Sequence, residues 1–295
     1  MGSDARPAWR NRLEYAVVRP ALFLVHCLPD FAIPFVGRLS ARIWQGLDGT
    51  RRRACRENLR EAFPEKSEKE IRRLARAVFD HVVTVNLEMV VHSRDGIDRW
   101  LERVDDPRRD EGPPTDPVVW VAIHFGFWEF TPGAAARGGK PVLTVNRPLR
   151  NPMIERLVEG LRTVMGSETV PKGRAARALV STLKRGEPIG LLVDQYAGRS
   201  GLWVPFFGRP ASTVAAPARM ALRFKAPLRP LVLVRKGLLR YELRILPDIP
   251  PEGTAEELTA AMNRAFEEVI RELPEQWLWL HKRWKGHPPP SPPAS

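Results

Sequence analysis

The sequence predicts an α/β fold: a mixed, largely parallel central sheet flanked by helices, preceded by N-terminal helices that associate with a membrane. Three observations lead there. Short apolar runs at 118–123, 141–145, 189–193 and 228–234 alternate with segments of helical periodicity, the pattern of strands buried on both faces beneath crossover helices. The chain has 295 residues, 43% of them hydrophobic, enough for one sizeable core. Several residues able to do chemistry, His124, Asn146, Arg147, Asp194 and Gln195, each follow the end of one of these runs. In open α/β sheets, sites lie outside the carboxyl ends of the strands.

Taken in order, residues 1–50 form a membrane-associating segment. Within 13–47 the chain is apolar but interrupted by Arg19, Pro20, His26, Pro29, Asp30 and Pro34. No run therefore reaches the roughly 20 apolar residues of a clean membrane-spanning helix. The arginine-flanked stretch 21–36 reads as a membrane-surface or re-entrant anchor; a distorted span and a pair of helices capping the fold are the other readings. Residues 51–110 are a helical region. Ser67 and Glu70 make a capping box before Ile71, Leu74, Ala75, Val78, Phe79, Val82, Val85 and Met89 at helical spacing, running to about His92. His81 and Glu88 in that helix read as structural. The Asp-, Pro- and Gly-rich 105–117 is a loop.

Residues 111–286 form the α/β core. The strand at 118–123 leads to a helix after Trp128, and 141–145 is the next strand. Asn151 caps a helix with Pro152 at its first position. Residues 175–184 are helical and stopped by Gly186, and 189–193 is a strand. Residues 211–225 read as a helix in which Pro217 is a local defect. Strands at 228–234 and 241–246 follow, then a helix at 256–273 that Thr254 and Glu257 open as a capping box. The Pro-rich 287–295 is a disordered tail.

The stretch 124–129, HFGFWE, carries the sharpest chemistry. Residues five apart on a helix are splayed by about 140°. His124 is thus expected in the strand-to-helix turn that Gly126 permits, with Glu129 at the helix start, folded back on the imidazole. Such a pair suits attack by a hydroxyl. An alcohol is a poor nucleophile at neutral pH, neutral imidazole takes its proton as the bond forms, and a carboxylate orients the ring and stabilises the imidazolium. The same residue types also read as a core histidine near a surface glutamate. No G-x-S-x-G elbow exists to form an acyl-enzyme.

Five stretches in order carry a resemblance: HFGFWE at 124–129, VNRPLRNP at 145–152, GLLVDQ at 190–195, WVPFFGRPAST at 203–213 and PEQWLWLHKRWK at 274–285. The first resembles the H-x4-D/E motif of the lysophospholipid acyltransferase superfamily. Together, over residues 13–285, they are similar to the late acyltransferases of lipid A biosynthesis, the lauroyl/myristoyl transferase family. Phe127 stands where asparagine is common in that family, a departure that bears on the acceptor more than on the reaction. The PEGT at 251–254 matches the third block of glycerolipid acyltransferases but lies too far downstream; Asp194 occupies that block's place in the order.

The resemblance implies a glycerolipid/lysophospholipid acyltransferase-like fold. It implies transfer of a fatty acyl chain from a thioester donor to a hydroxyl of a membrane lipid, above all a lipid A precursor, at the cytoplasmic face of the bacterial inner membrane, with no cofactor. Acyl carrier protein is favoured over acyl-CoA as donor. His124 is then the general base and Glu129 its partner. Arg147 holds an anionic group or pairs with Asp194; Asn146, Asp194 and Gln195 shape the substrate site. Phe125, Phe127 and Trp128 line an acyl channel or belong to the core. The alternatives are another glycolipid or aminolipid acceptor, or a non-catalytic basic membrane-surface protein.

Charge agrees with an acidic partner. The formal net charge is +13, and residues 1–60 hold 11 Lys or Arg against 5 Asp or Glu. An anionic membrane face or an acidic carrier protein fits. No nucleic-acid motif is present, so nucleic acid is not expected as a partner. Cys27 and Cys55 lack the spacing of a zinc site or a disulfide framework, and no H-E-x-x-H pattern calls for a metal.

Overall fold

The computed structural model describes residues 7–108, 117–136, 141–164 and 167–288. One seven-stranded sheet organises them. Its strands are β1 (Val104–Asp105), β2 (Val119–Ala122), β3 (Val142–Asn146), β4 (Ser167–Pro171), β5 (Ile189–Leu192), β8 (Leu228–Gly237) and β9 (Arg240–Ile245), in the order β1-β9-β8-β2-β5-β3-β4. Every neighbouring pair is parallel except the β8–β9 hairpin. The expected mixed, largely parallel sheet is therefore present. β2 lies at its centre with all four residues buried, as an apolar run covered on both faces requires. A separate antiparallel ribbon joins β6 (Leu202–Phe206) to β7 (Arg209–Thr213).

The helices are α1 (Ala8–His26), α2 (Ile33–Leu47), α3 (Gly49–Ala62), α4 (Glu68–Leu101), α5 (Thr131–Ala136), α6 (Pro152–Val164), α7 (Ala175–Lys184), α8 (Ala216–Phe224) and α9 (Ala255–Glu272). α4 opens on the predicted capping box: Glu70 N–H donates to Ser67 Oγ at 3.4 Å and Ser67 N–H to Glu70 Oε2 at 2.8 Å. It runs past His92 because its apolar face continues to Trp100, and it kinks at Gly96, where φ is 79° and ψ 172°. α4 supplies both main cores, through Ile71 to Val82 on one side of the sheet and through Val85, Met89 and Trp100 on the other. His81 and Glu88 are structural, as expected. His81 Nε2 bonds Gly126 O at 3.2 Å. Glu88, fully buried, accepts from Arg235, the Leu239 backbone and Tyr241.

Two expectations need correction. Residues 211–213 are strand β7, not helix: Phe207 and Gly208 turn the chain with φ of 51° and 69°, and the buried Ala211, Ser212 and Thr213 pair with β6. Pro217 is then no defect, since α8 begins at Ala216 and its first turn needs no donor there. The sequence gives no sign of β4, an edge strand whose side chains are half-buried or exposed, so it carries no apolar alternation to read. Asp105 belongs to β1; residues 109–116 of the expected loop and 289–295 of the expected tail lie outside the described residues.

The chain bends by 118° between α1 and the segment 30–47 that contains α2. No single described helix is long and apolar enough to cross a membrane; 8–26 and 30–47 taken together reach that length and composition only as a bent pair. α1 buries no residue. Trp9, Leu13, Val17, Phe23, Leu24, Phe31, Phe35, Leu39, Ile43 and Leu47 are all exposed. The opposite side of α2 packs tightly on α4, where a Cβ on Gly37 would come within 2.8 Å of Thr84 Oγ1.

Candidate active site

The parallel register builds the site. Ala122 of β2 lies opposite Leu192 of β5, so two residues further on His124 faces Asp194. His124 Nδ1 lies 2.8 Å from Asp194 Oδ1, and the His124 backbone N–H donates to Asp194 Oδ2 at 2.9 Å. Trp277 Nε1–H donates to the same Oδ2 at 2.8 Å. A carboxylate facing Nδ1 assigns the proton to that nitrogen and leaves Nε2 with its lone pair. Gln195 Nε2 lies 3.2 Å from His124 Nε2.

Electrostatics follow from these contacts. Burial alone would raise the Asp194 carboxyl, but His124 and the donors from His124 and Trp277 hold it down at about 2. Burial alone would lower the His124 imidazole; the charge and hydrogen bond of Asp194, with the charge of Glu129, outweigh it and raise the group above its ordinary value.

The turn after β2 is fixed by backbone. Gly126 has φ of 57°, and a Cβ there would overlap the Leu233 carbonyl oxygen. Only glycine fits that close approach to β8. Phe127 N–H donates to Leu233 O at 2.8 Å, Gly126 N–H to Gln276 O at 3.0 Å, and Leu278 N–H to His124 O at 3.0 Å. The C-terminal stretch 276–278 thus pairs with the turn that carries His124.

Glu129 lies in a 3-10 turn, Trp128–Phe130, and makes a forked pair with Arg162: Nε donates to Oε2 at 2.9 Å and Nη2 to Oε1 at 3.0 Å. The carboxylate hydrogen-bonded to His124 is therefore that of Asp194, not Glu129, because a neighbouring strand end reaches Nδ1 directly. Arg147 is exposed and makes no ion pair with Asp194, whose oxygens are taken by His124 and Trp277. Asn146 donates to Glu155 Oε1 at 3.1 Å, while its own Oδ1 is buried without a partner. Phe127 is core, not channel: it is buried and stacks on Tyr241 with centroids 4.6 Å apart. Phe125 is buried too. Trp128 does line the site, its ring 5.8 Å from that of His124.

His124 lines a cavity of about 870 Å³. One sheet face floors it with Trp120, Ala122, Val142, Gly190 and Leu231, positions that alternate along their strands. Glu129, Asn146, Arg147, Gln195, Arg162, Arg219 and Arg223 also border it. Arg162 was invisible in the sequence as a site residue, since it is one arginine of an amphipathic helix. Trp277 lay in a recognised motif, but nothing local says that an indole will meet a carboxylate 83 positions earlier.

An apolar-floored cavity with a polarised imidazole in its lining suits acyl transfer, and comparison with known proteins agrees. The profile of the bacterial lipid A biosynthesis acyltransferases matches residues 10–286. The chain is 32% identical over 263 residues to the lipid A biosynthesis lauroyltransferase of Escherichia coli K12, covering 86% of this chain and 84% of that one. It is 29% identical over 272 residues to the lipid A biosynthesis palmitoleoyltransferase of the same organism, covering 88% and 87%. A solved 1-acyl-sn-glycerophosphate acyltransferase, PlsC, from Thermotoga maritima is similar at a TM-score of 0.37 and 14% identity, covering 83% of this chain and 96% of that chain. The protein is an acyltransferase. It belongs to the bacterial lipid A biosynthesis acyltransferase family, as its five motifs suggested.

Proposed function

We propose that this enzyme moves a fatty acyl chain from the thioester of an acyl carrier protein to a hydroxyl of a lipid A precursor at the cytoplasmic face of the inner membrane. The observation that carries the mechanism is the His124–Asp194 pair, with His124 lining the cavity and its Nε2 facing the Gln195 amide, which lines it too. The acceptor hydroxyl hydrogen-bonds Nε2, displacing the Gln195 amide. As its oxygen attacks the thioester carbonyl, the proton passes to Nε2 and the imidazolium is stabilised by Asp194. The tetrahedral oxyanion collapses, the C–S bond breaks, and the imidazolium returns the proton to the leaving thiolate. No covalent enzyme intermediate is needed.

In this reading Glu129 acts on His124 through its charge and holds Arg162 at the cavity. Arg147 and Arg162 are the cations closest in role to an anion clamp, for a lipid phosphate or for the phosphopantetheine arm. The apolar residues exposed on α1 and α2 support seating of the protein in the membrane surface by its N-terminal helices. The names of the relatives and the basic charge support acceptor and donor respectively. Lipid mass spectrometry with and without the gene tests the reaction. Loss of one ester-linked acyl chain from lipid A is the expected result; loss from another glycolipid or aminolipid replaces the acceptor, and an unchanged lipid profile removes the function.

A further inference from the structure

The buried groups around His124 include one donor that the reaction itself does not use. Trp277 is 2% exposed, and its indole N–H points at Asp194 Oδ2 from 2.8 Å, on the oxygen opposite the one facing the imidazole. Its ring is held edge-on by Trp279 at 4.5 Å and Phe206 at 5.4 Å. Its backbone bridges Phe125, and both flanking residues bond the catalytic turn: Gln276 O accepts from Gly126 N–H, and Leu278 N–H donates to His124 O. Gln276 in turn clasps the Arg235 backbone through N–H and C=O on β8. One short stretch therefore fixes the main chain under the base and supplies a hydrogen bond to its carboxylate.

Resting on the acyl-transfer reading above, the geometry points to Trp277 as a positioning residue of that reaction: its indole N–H locks the Asp194 carboxylate so that the other oxygen stays aligned with His124 Nδ1. An indole suits the task. It donates a single hydrogen bond, cannot accept, and cannot ionise. It therefore adds a donor in a buried place without competing for the imidazole proton. A buried carboxylate that accepts several donors is held ionised, and each donor draws charge from the oxygen facing the histidine. Trp277 thus limits how strongly Asp194 raises the imidazole, while keeping the pair in line.

The test is the pH profile of kcat/KM in Trp277→Phe, which keeps an aromatic ring and removes the N–H. With that donor gone, the carboxylate charge concentrates on the imidazole side. The acid limb should move to higher pH by about half to one unit. The limiting kcat should fall about tenfold as the carboxylate loses its fixed orientation, with KM for either substrate little changed. Trp279→Phe is the packing control: its indole N–H bonds Pro274 O, so its acid limb should stay in place. A Trp277→Phe limb that does not move, or one that Trp279→Phe moves equally, overturns the inference.

Should Trp277→Phe fail to fold, the wild-type protein decides. One of the nine indole N–H resonances should follow the His124 titration, and that dependence should vanish in His124→Ala; no titrating indole overturns the inference. An active His124→Ala enzyme would instead remove the underlying reading of the site, so the two failures are distinguishable.

Discussion

At the scale of single residues, function rests on how one imidazole is held. His124 lies at a strand end, beside a carboxylate that register alone brings to it. His124→Ala should lower turnover by about 10²- to 10⁴-fold, the usual worth of a general base, with a circular dichroism spectrum like that of wild type. Asp194→Asn should be nearly as damaging, because the ring loses both its tautomer and its counter-charge. Glu129→Gln should behave differently. It keeps a polar contact with Arg162 but loses the charge that helps raise His124, so its acid limb should move to lower pH as activity falls. In the wild-type enzyme the base works only when neutral. Since the folded protein raises the His124 pKa, the acid limb of kcat/KM should lie above the ordinary imidazole value. A limb at or below that value would count against Asp194 as its partner.

Secondary-structure elements decide where the enzyme works and how its turn keeps shape. The exposed apolar residues Phe31, Phe35, Leu39 and Ile43 lie on or beside α2, whose other side is packed on α4. Phe31, Phe35 and Leu39 changed together to serine should therefore spare the fold and raise the soluble fraction in cell fractionation. High salt alone should release wild-type protein incompletely, since salt screens charges but leaves buried apolar area untouched. Complete release by salt would remove the anchor reading. Removing 1–47 would also uncover α4 and so confound the result. On the turn, Gly126→Ala must push Cβ into the Leu233 carbonyl with φ at 57°. A lowered Tm and loss of activity together are expected, because β8 and the histidine turn cannot both keep their places.

Over the whole molecule, buried titration and net charge set the conditions under which the protein works. His81 and His92 are buried, and burial pushes each down to about 3. The unfolded chain takes up those protons near the ordinary 6.5 while the folded chain refuses them. Their stabilising effect is present above that value and fades as pH falls from 6.5 toward 3. Asp194, held at about 2, adds stability that is present above the ordinary carboxyl value and is lost as pH falls through that range. Tm measured against pH should therefore decline below 6.5, and less steeply in His81→Gln, whose amide N–H can still reach Gly126 O. The charge of +13 bears on the donor. For matched acyl chains, kcat/KM should favour acyl carrier protein over acyl-CoA at low salt, with a margin that shrinks as salt rises. Equal or better use of acyl-CoA at low salt would remove the carrier-protein assignment.

Much of this was legible in the sequence because local physics writes it there. Largely apolar runs of five to seven residues announced strands 118–123, 141–145, 189–193 and 228–234, since a strand buried on both faces is apolar along most of its length. Capping boxes at Ser67 and Thr254 marked two helix starts within a residue, because a cap is a contact between residues three apart. His124, Asp194 and Gln195 were legible as candidates from their strand-end positions. Strand β4 and the β6–β7 ribbon were not legible, for their pairing partners are set by tertiary contact. Nor were the partnerships of the site. H-x4-E suggested that Glu129 would hold the imidazole, yet a 3-10 turn gave it to Arg162, and parallel register gave His124 to Asp194. Phe127 went to the core, and Trp277 reached the carboxylate from the far end of the chain. Sequence by itself determined which residues could do chemistry and where the backbone would place each of them locally; which of them touch was decided only when strands 70 residues apart aligned, because a hydrogen bond depends on distance in space and not along the chain.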